Sequence, residues 1–313
     1  MKKFKKIIRK NLGIYFMVIA SFAFALMGCS AKLLANDMPS VEIMFFRNVI
    51  GVIFIAYLIY KIPHKKSGGK FFLLFFRGLI GTISLYFFFY NVANISLGGA
   101  FAFQKTNPLF VALIAFLFFK EQLGIKSILY LFLAFSGVML IIQPLAPEHL
   151  HTGFDIKNSI LGVLSGLTAA LALTSARELG KYYNTEVIAS SFFILGTILP
   201  ILSMLGGEYL DPDLIKYFDF AFAKFVMPND FKLWILIILM GSLSIVYQIY
   251  VTKAYKAAKK AGVVAGVGYI DVVFTLLLGI LLGDDLPSLM VLAGIICVLI
   301  GGIGISLSKD NKK

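Results

Sequence analysis

Charged residues are scarce in this sequence: they make up 14% of its 313 residues, against about 25% in a typical soluble domain. Hydrophobic residues make up 59%, and the mean hydropathy is +0.90. A chain with so few charges cannot cover a folded surface with water-binding groups. The composition therefore excludes an ordinary soluble domain.

Residue types that usually carry enzyme chemistry are also rare. The cysteines are Cys29 and Cys297, both inside apolar runs, and the histidines are His64, His149 and His151, all in predicted loops. They lack the spacing of a metal site, and the sequence has neither a phosphate-binding glycine loop nor a G-x-S-x-G motif. The sequence therefore predicts neither an enzyme nor a bound cofactor or metal.

What the sequence does contain is a series of apolar runs of about 18 residues or more, the length that a helix needs to cross a bilayer. Backbone groups inside lipid must be paired within the segment, so such runs form helices. The predicted fold class is an all-α membrane protein with ten transmembrane helices. The predicted spans are residues 11–34, 40–60, 71–91, 96–119, 125–142, 159–176, 187–206, 233–251, 262–282 and 287–307.

The distribution of the formal net charge of +13 indicates membrane topology rather than nucleic-acid binding. With the N-terminus in the cytoplasm, most basic residues outside the spans fall on the cytoplasmic side. The outer segments hold only Lys157, Lys216, Lys224 and Lys232. This positive-inside pattern predicts a multi-pass protein of the bacterial inner membrane with both termini cytoplasmic. Lipid headgroups are the expected partner of the basic residues.

The sequence repeats weakly within itself. Residues 109–140 resemble residues 272–303: each segment is a helix, an acidic turn and a second helix that ends in glycine. Upstream, SAK at 30–32 matches SAR at 175–177, at the end of the first predicted span of each half. These matches predict two related halves rather than ten unrelated spans.

The predicted halves are residues 11–143 and 158–307, with five spans each. Because five is odd, the second half must enter the membrane from the opposite side, so the halves form an inverted repeat. Inverted repeats place a binding site near the bilayer midplane, between the halves, and allow it to face each side in turn.

Two opposite charges fall near the middle of equivalent spans. Lys105 lies in the fourth span and Asp271 in the ninth, and charges at that depth are costly without a role. We expect them to pair across the pseudo-symmetry axis. Three roles remain open: a structural ion pair, a solute site in which Lys105 binds a carboxylate and Asp271 an amine, and a proton carrier at Asp271 controlled by Lys105.

Neutral polar residues in the spans are candidates for the same cavity. Pro108 is expected to kink the fourth span and to free a backbone carbonyl beside the pair. For each polar residue alone, packing between helices is the competing interpretation. The candidates are Gln104, Asn107, Tyr269, Tyr86, Tyr247 and Gln248.

Two arginines lie at intermediate depth. Arg77 is expected to snorkel to the cytoplasmic interface, since long basic side chains reach water from such positions. Arg47 starts from the outer side, where Glu42 is a candidate partner for Arg47 or for Lys32. A structural network at an outer gate and a contact with an anionic substrate are equally open for Arg47.

These motifs resemble the ten-helix EamA type of the drug/metabolite transporter superfamily over nearly the whole chain. The resemblance rests on PLFVALIAFLFFKEQLG and its echo VVFTLLLGILLGDDLP. Pro108 and Glu121 match residues that recur in the family, whereas Asp284 stands where a second glutamate is usual. The stretches FFRGLIGTISLYFFFYNVANISLGGAFAFQKTNP and GYIDVVFTLLLG resemble the branch of S-adenosylmethionine uptake carriers.

The resemblance implies secondary transport by alternating access, without a cofactor. We therefore expect a transporter of a small polar metabolite, with an S-adenosylmethionine-like or amino-acid-like solute as the leading candidate. The alternatives are a proton-coupled exporter of amino acids or drugs and, from another class, a membrane scaffold or lipid-handling protein. A monomer or homodimer is expected, with protons as the candidate coupling ion.

Overall fold

The computed structural model of the chain describes residues 12–61, 68–119, 124–142, 155–257, 264, 267–283, 286 and 288–307. Regular secondary structure in these ranges is helical throughout, which confirms the predicted all-α class. The helices are α1 (Leu12–Leu34), α2 (Ser40–Lys61), α3 (Phe71–Asn94), α4 (Leu97–Gln104), α5 (Asn107–Phe119), α6 (Ile125–Ile142), α7 (Ile156–Leu179), α8 (Thr185–Tyr209), α9 (Pro212–Tyr217), α10 (Phe231–Ala257), α11 (Ile270–Leu281) and α12 (Leu289–Leu307).

Six of these helices, α1, α2, α3, α7, α8 and α10, are each long and apolar enough to cross a membrane. The remaining predicted spans correspond to shorter or interrupted helices, so the count of ten stays a prediction. Several residues that the sequence singled out lie outside the described ranges. They are His64, His149, His151, Glu121 and Asp284.

Helix packing falls into matched sets. The α1–α10 contact has a counterpart in α7–α3, the α1–α11 contact in α7–α5, and the α2–α10 contact in α8–α3. Two further contacts, α2–α8 and α6–α12, each join a helix to its own counterpart in the other predicted half, and the α4–α11 contact joins the fourth predicted span to the ninth. The central helices are α1, α3, α4 and α10, which meet at Phe24: its ring lies 4.6 Å from that of Phe101 and 4.3 Å from that of Tyr247.

The fourth predicted span is broken rather than kinked. Helix α4 ends at Gln104, residues 105 and 106 form a turn, and α5 begins at Asn107. Proline has no N–H to donate and fits the first turn of a helix, so Pro108 starts α5 instead of bending a continuous helix. The break lies just before the proline and contains Lys105.

The chain after α8 covers one end of the bundle. Asp219 in this segment forms an ion pair with Lys157 at 2.6 Å. The backbone N–H of Val226 donates to Oε2 of Glu42 at 3.0 Å. These contacts attach residues 210–230 to the starts of α7 and α2.

Candidate functional site

Lys105 and Asp271 form the expected ion pair. The distance between Nζ of Lys105 and Oδ2 of Asp271 is 2.5 Å, and the two side chains are 9% and 1% exposed. Lys105 caps the C-terminal end of α4, and Asp271 lies in the first turn of α11. The sequence placed both residues in equivalent spans, and the fold brings them together.

Both partners lie at helix breaks. Before α11, residues 268 and 269 form a turn. The backbone N–H groups of Asp271 and Val272 then donate i→i−3 hydrogen bonds to the carbonyls of Gly268 and Tyr269, at 3.4 and 3.1 Å. The partial charges at helix ends favour a cation at a C-terminus and an anion at an N-terminus. The ends of α4 and α11 therefore stabilise the two charges in the arrangement that the structure shows.

The residues beside the pair are buried and only partly satisfied. Oε1 of Gln104 accepts a 2.6 Å hydrogen bond from Ser165 of α7, and Asn107 is also buried. Oδ1 of Asp271 and the hydroxyl of Tyr269 have no hydrogen-bond partner among the described residues. One acceptor and one hydroxyl are thus unused next to the ion pair.

The ring of Tyr269 packs against α12 at a glycine, where no side chain occupies the space. A Cβ built on Gly302 would overlap this ring. On the other broken span, a Cβ built on Gly166 would likewise overlap Oγ1 of Thr106. A glycine thus accommodates a side chain from each break, which fixes where the breaks lie in the bundle.

Arg77 does not snorkel. Its side chain is buried, with the guanidinium 4.9 Å from the ring centre of Phe192 on α8. A Cβ on the neighbouring Gly78 would lie 2.5 Å from the backbone oxygen of Ser191, so α3 approaches α8 closely. Because α8 covers this face of α3, the side chain turns into the protein rather than along a lipid-facing surface.

Arg47 and Glu42 do not pair, which contradicts the interpretation as partners. Nε of Arg47 contacts Sδ of Met27 at 3.3 Å, and Nη1 donates to Oδ1 of Asn48 at 2.9 Å. Glu42 instead accepts from the backbone of Val226. The two residues point to different parts of the molecule, because five positions in a helix of 3.6 residues per turn leave their side chains about 140° apart around the axis.

Tyr247 links the arginines to the ion pair. It lies within electrostatic range of Asp271, Arg47 and Arg77, and the neighbouring Gln248 is buried. Tyr86 lies elsewhere: its hydroxyl is 2.6 Å from Oγ of Ser203, and it lines an apolar cavity of about 360 Å³ with residues of α8 and 220–222.

Sequence reasoning missed Tyr255 and Ser165. Tyr255 is buried and within electrostatic range of Tyr247, Tyr269 and Asp271. Tyr247 and Tyr255 are eight residues apart and therefore lie on one face of α10, a signal that was available from the sequence. Ser165 carried no such signal, because only its contact with Gln104 across two helices identifies it.

Comparison with known proteins is consistent with this architecture. The exporter of pseudopaline from Pseudomonas aeruginosa, CntI, is 27% identical over 299 residues, covering 96% of this chain and 97% of its own. An uncharacterized transporter of Helicobacter pylori is 28% identical over 309 residues, with the same coverage. Mouse solute carrier family 35 member G1 is 25% identical and covers 96% of this chain and 79% of its own.

A solved crystal structure superposes with a TM-score of 0.59 over 93% of this chain and 98% of its own, at 16% identity, and so supports the fold alone. The EamA-like transporter family matches residues 11–143, which carry Lys105, Arg47 and Arg77. The division into two repeats and the similarity to the S-adenosylmethionine branch remain predictions. The chain is a multi-pass membrane protein with an EamA-like transporter domain at residues 11–143.

Proposed function

We propose that the protein is a secondary-active transporter of a small polar metabolite in the bacterial inner membrane, with the Lys105–Asp271 pair at its substrate site. The observation that carries this proposal is a buried ion pair held between two helix breaks. Broken helices in equivalent spans, with charged groups at the breaks, are the usual site of substrate and ion binding in transporters.

Matched helix contacts support an inverted pair of five-helix units, residues 11–143 and 158–307. Unrelated helices would have no reason to repeat the same neighbour relations in both halves. An inverted pair can exchange the conformations of its halves and open the central site to either side. Alternating access therefore follows from the proposed symmetry without further moving parts.

The chemistry of the pair suits a solute with both a carboxylate and an amine. A substrate carboxylate can accept from Lys105, while the unused Oδ1 of Asp271 accepts from an amine. Such exchange keeps both buried charges paired throughout, which avoids the large cost of separating them in the protein interior. An amino-acid-like or S-adenosylmethionine-like solute meets this requirement.

Proton-coupled export is the second candidate function. One relative is named as an exporter, and Asp271 is the buried carboxylate that a proton would have to reach. A scaffold or lipid-handling role is less well supported, because it gives no reason for unpaired polar atoms at Asp271 and Tyr269.

Flux into proteoliposomes tests the proposed function. The purified full chain is reconstituted and supplied with labelled amino acids, nucleosides or S-adenosylmethionine, with and without an imposed pH gradient. We expect saturable flux of at least one solute above protein-free vesicles. If the gradient drives accumulation, protons are the coupling ion; if no solute moves under either condition, secondary transport of this class of metabolite is wrong.

Cysteine labelling tests the proposed topology. Single cysteines are introduced by Lys66→Cys, Lys259→Cys and Lys216→Cys in a chain whose Cys29 and Cys297 have been replaced. An impermeant maleimide added outside spheroplasts should label only the Lys216→Cys protein, because the other two positions are predicted on the cytoplasmic side. Labelling of either of those from outside would contradict the ten-span inverted arrangement.

A further inference from the structure

Two buried arginines converge on one aromatic ring. Arg47 of α2 and Arg77 of α3 are 0% and 2% exposed. Their guanidinium carbons lie 5.3 Å and 4.9 Å from the ring centre of Phe192 on α8. Arg47 also lies over the rings of Phe89 and Phe193, at 5.9 Å and 5.8 Å. The two cations therefore share a small aromatic compartment.

Neither guanidinium has all of its N–H groups paired within the described part of the protein. Nη2 of Arg47 and both Nε and Nη1 of Arg77 have no hydrogen-bond partner among the described residues. No described carboxylate lies within ion-pair distance of either side chain. A desolvated cation–π contact contributes about 2 kcal/mol, and burying a charge without a counter-ion costs several kcal/mol.

Structural roles do not account for this arrangement. The two arginines are close enough to repel one another, so pairing them lowers stability rather than raising it. A helix contact here needs only apolar side chains, as the neighbouring phenylalanines provide. Arginine is, however, suited to binding oxyanions, because its planar fork donates two parallel hydrogen bonds to a carboxylate or phosphate.

The compartment and the ion pair have one neighbour in common, Tyr247. Tyr247 is within range of both arginines and of Asp271. The local charges are three cations, Arg47, Arg77 and Lys105, and one carboxylate, Asp271. Glu42, a second buried acid, lies on α2 and accepts a hydrogen bond from the backbone N–H of Val226 instead. A ligand with two negative charges would neutralise the excess.

We propose that Arg47 and Arg77 bind the oxyanion groups of the transported solute, so that the substrate is a small metabolite with two negative charges. This inference rests on the proposed transport function and narrows its substrate class to solutes with two acidic groups, which excludes an S-adenosylmethionine-like solute. The carboxylate and phosphate cases share the same chemistry at the guanidinium groups, and the ligands used in the test distinguish them.

Ligand-induced stabilisation of the purified full chain tests the proposal. Thermal unfolding in lipid nanodiscs is measured with succinate, citrate or inorganic phosphate, and with acetate or putrescine at matched ionic strength. Because a ligand that binds only the folded state raises the Tm, we expect a rise with the multiply charged anions and little with acetate or putrescine. Succinate and citrate alone would identify carboxylates; phosphate alone would identify phosphate esters.

Variants of the two arginines test whether the stabilising anion binds in their compartment. Arg47→Gln and Arg77→Gln should each weaken binding of the stabilising anion about 10-fold or more, the loss expected for one charge-assisted contact. Arg→Lys at either site should retain part of the affinity. Lys181→Gln, which removes an exposed lysine paired with Glu178, should leave binding unchanged.

The Tm without ligand separates binding from packing. Since each substitution to glutamine removes an unpaired buried charge, the ligand-free variants should unfold at or above the wild-type temperature. The proposal is overturned if no dianion stabilises the wild type. It is equally overturned if the glutamine variants keep the anion effect, or if they and the lysine variants all lose ligand-free stability. Solute flux in proteoliposomes that persists in those cases would leave the transport function standing.

Discussion

Asp271→Asn is expected to abolish solute flux. The substitution keeps the shape of the side chain but leaves Lys105 as a buried cation without its partner, 2.5 Å from the lost charge in the wild type. Removing one member of a buried pair costs about 3–5 kcal/mol. If that energy is lost from substrate binding, flux falls about 100-fold or more, measured as initial rates in proteoliposomes.

The reciprocal and double variants separate folding from function. Lys105→Met should be as damaging as Asp271→Asn, because it isolates the carboxylate instead. Lys105→Met combined with Asp271→Leu should recover much of the Tm, since a buried pair replaced by apolar residues is often neutral. Flux should nevertheless remain absent in this double variant. Wild-type flux there would reduce the pair to a structural contact.

Gly302→Ala is expected to lower both stability and flux. The added Cβ would overlap the ring of Tyr269, which is 1% exposed and surrounded by protein. Overpacking of this kind costs about 1–3 kcal/mol. Because Tyr269 forms the turn before Asp271, its displacement should shift the carboxylate away from Lys105 and reduce flux. Thermal unfolding and proteoliposome flux measure the two effects.

A matched glycine provides the control. Gly98 in α4 has open space where a Cβ would lie, so Gly98→Ala should change neither Tm nor flux appreciably. The substitution also tests whether reduced glycine flexibility alone is responsible. If Gly302→Ala behaves like Gly98→Ala, the ring of Tyr269 does not position the helix break.

Much of the site was accessible from the sequence because charge in lipid is rare and therefore informative. The sequence places Lys105 and Asp271 near the middle of predicted spans that the predicted repeat makes equivalent, and their contact in the structure agrees with the expected pairing. The environment of the two arginines was harder to predict. The depth of Arg77 in its span was visible, but the direction of its side chain was not, and the snorkelling interpretation was wrong.

Glu42 and Arg47 show the same limit. Their separation along one helix allowed a pair. In the structure, Glu42 instead accepts a hydrogen bond from the backbone N–H of Val226, in the segment after α8. No pattern within α2 contains that information, because the partner is 184 residues away. The break at Lys105 is intermediate: Pro108 indicated a disturbance of the fourth span, but its form depends on packing against α7, where Gly166 receives Thr106.

By itself, the sequence determined that the chain lies in a lipid bilayer, that it is helical, and which residues are costly to bury. Each of these follows from the length of an apolar run or from a charge within it, which are local properties of the chain. The tertiary structure alone decided which of those charges are paired. Arg47 and Arg77 become an unpaired couple only when α2, α3 and α8 meet around Phe192. Pairing depends on distances between segments far apart in sequence, and only the packed bundle sets those distances.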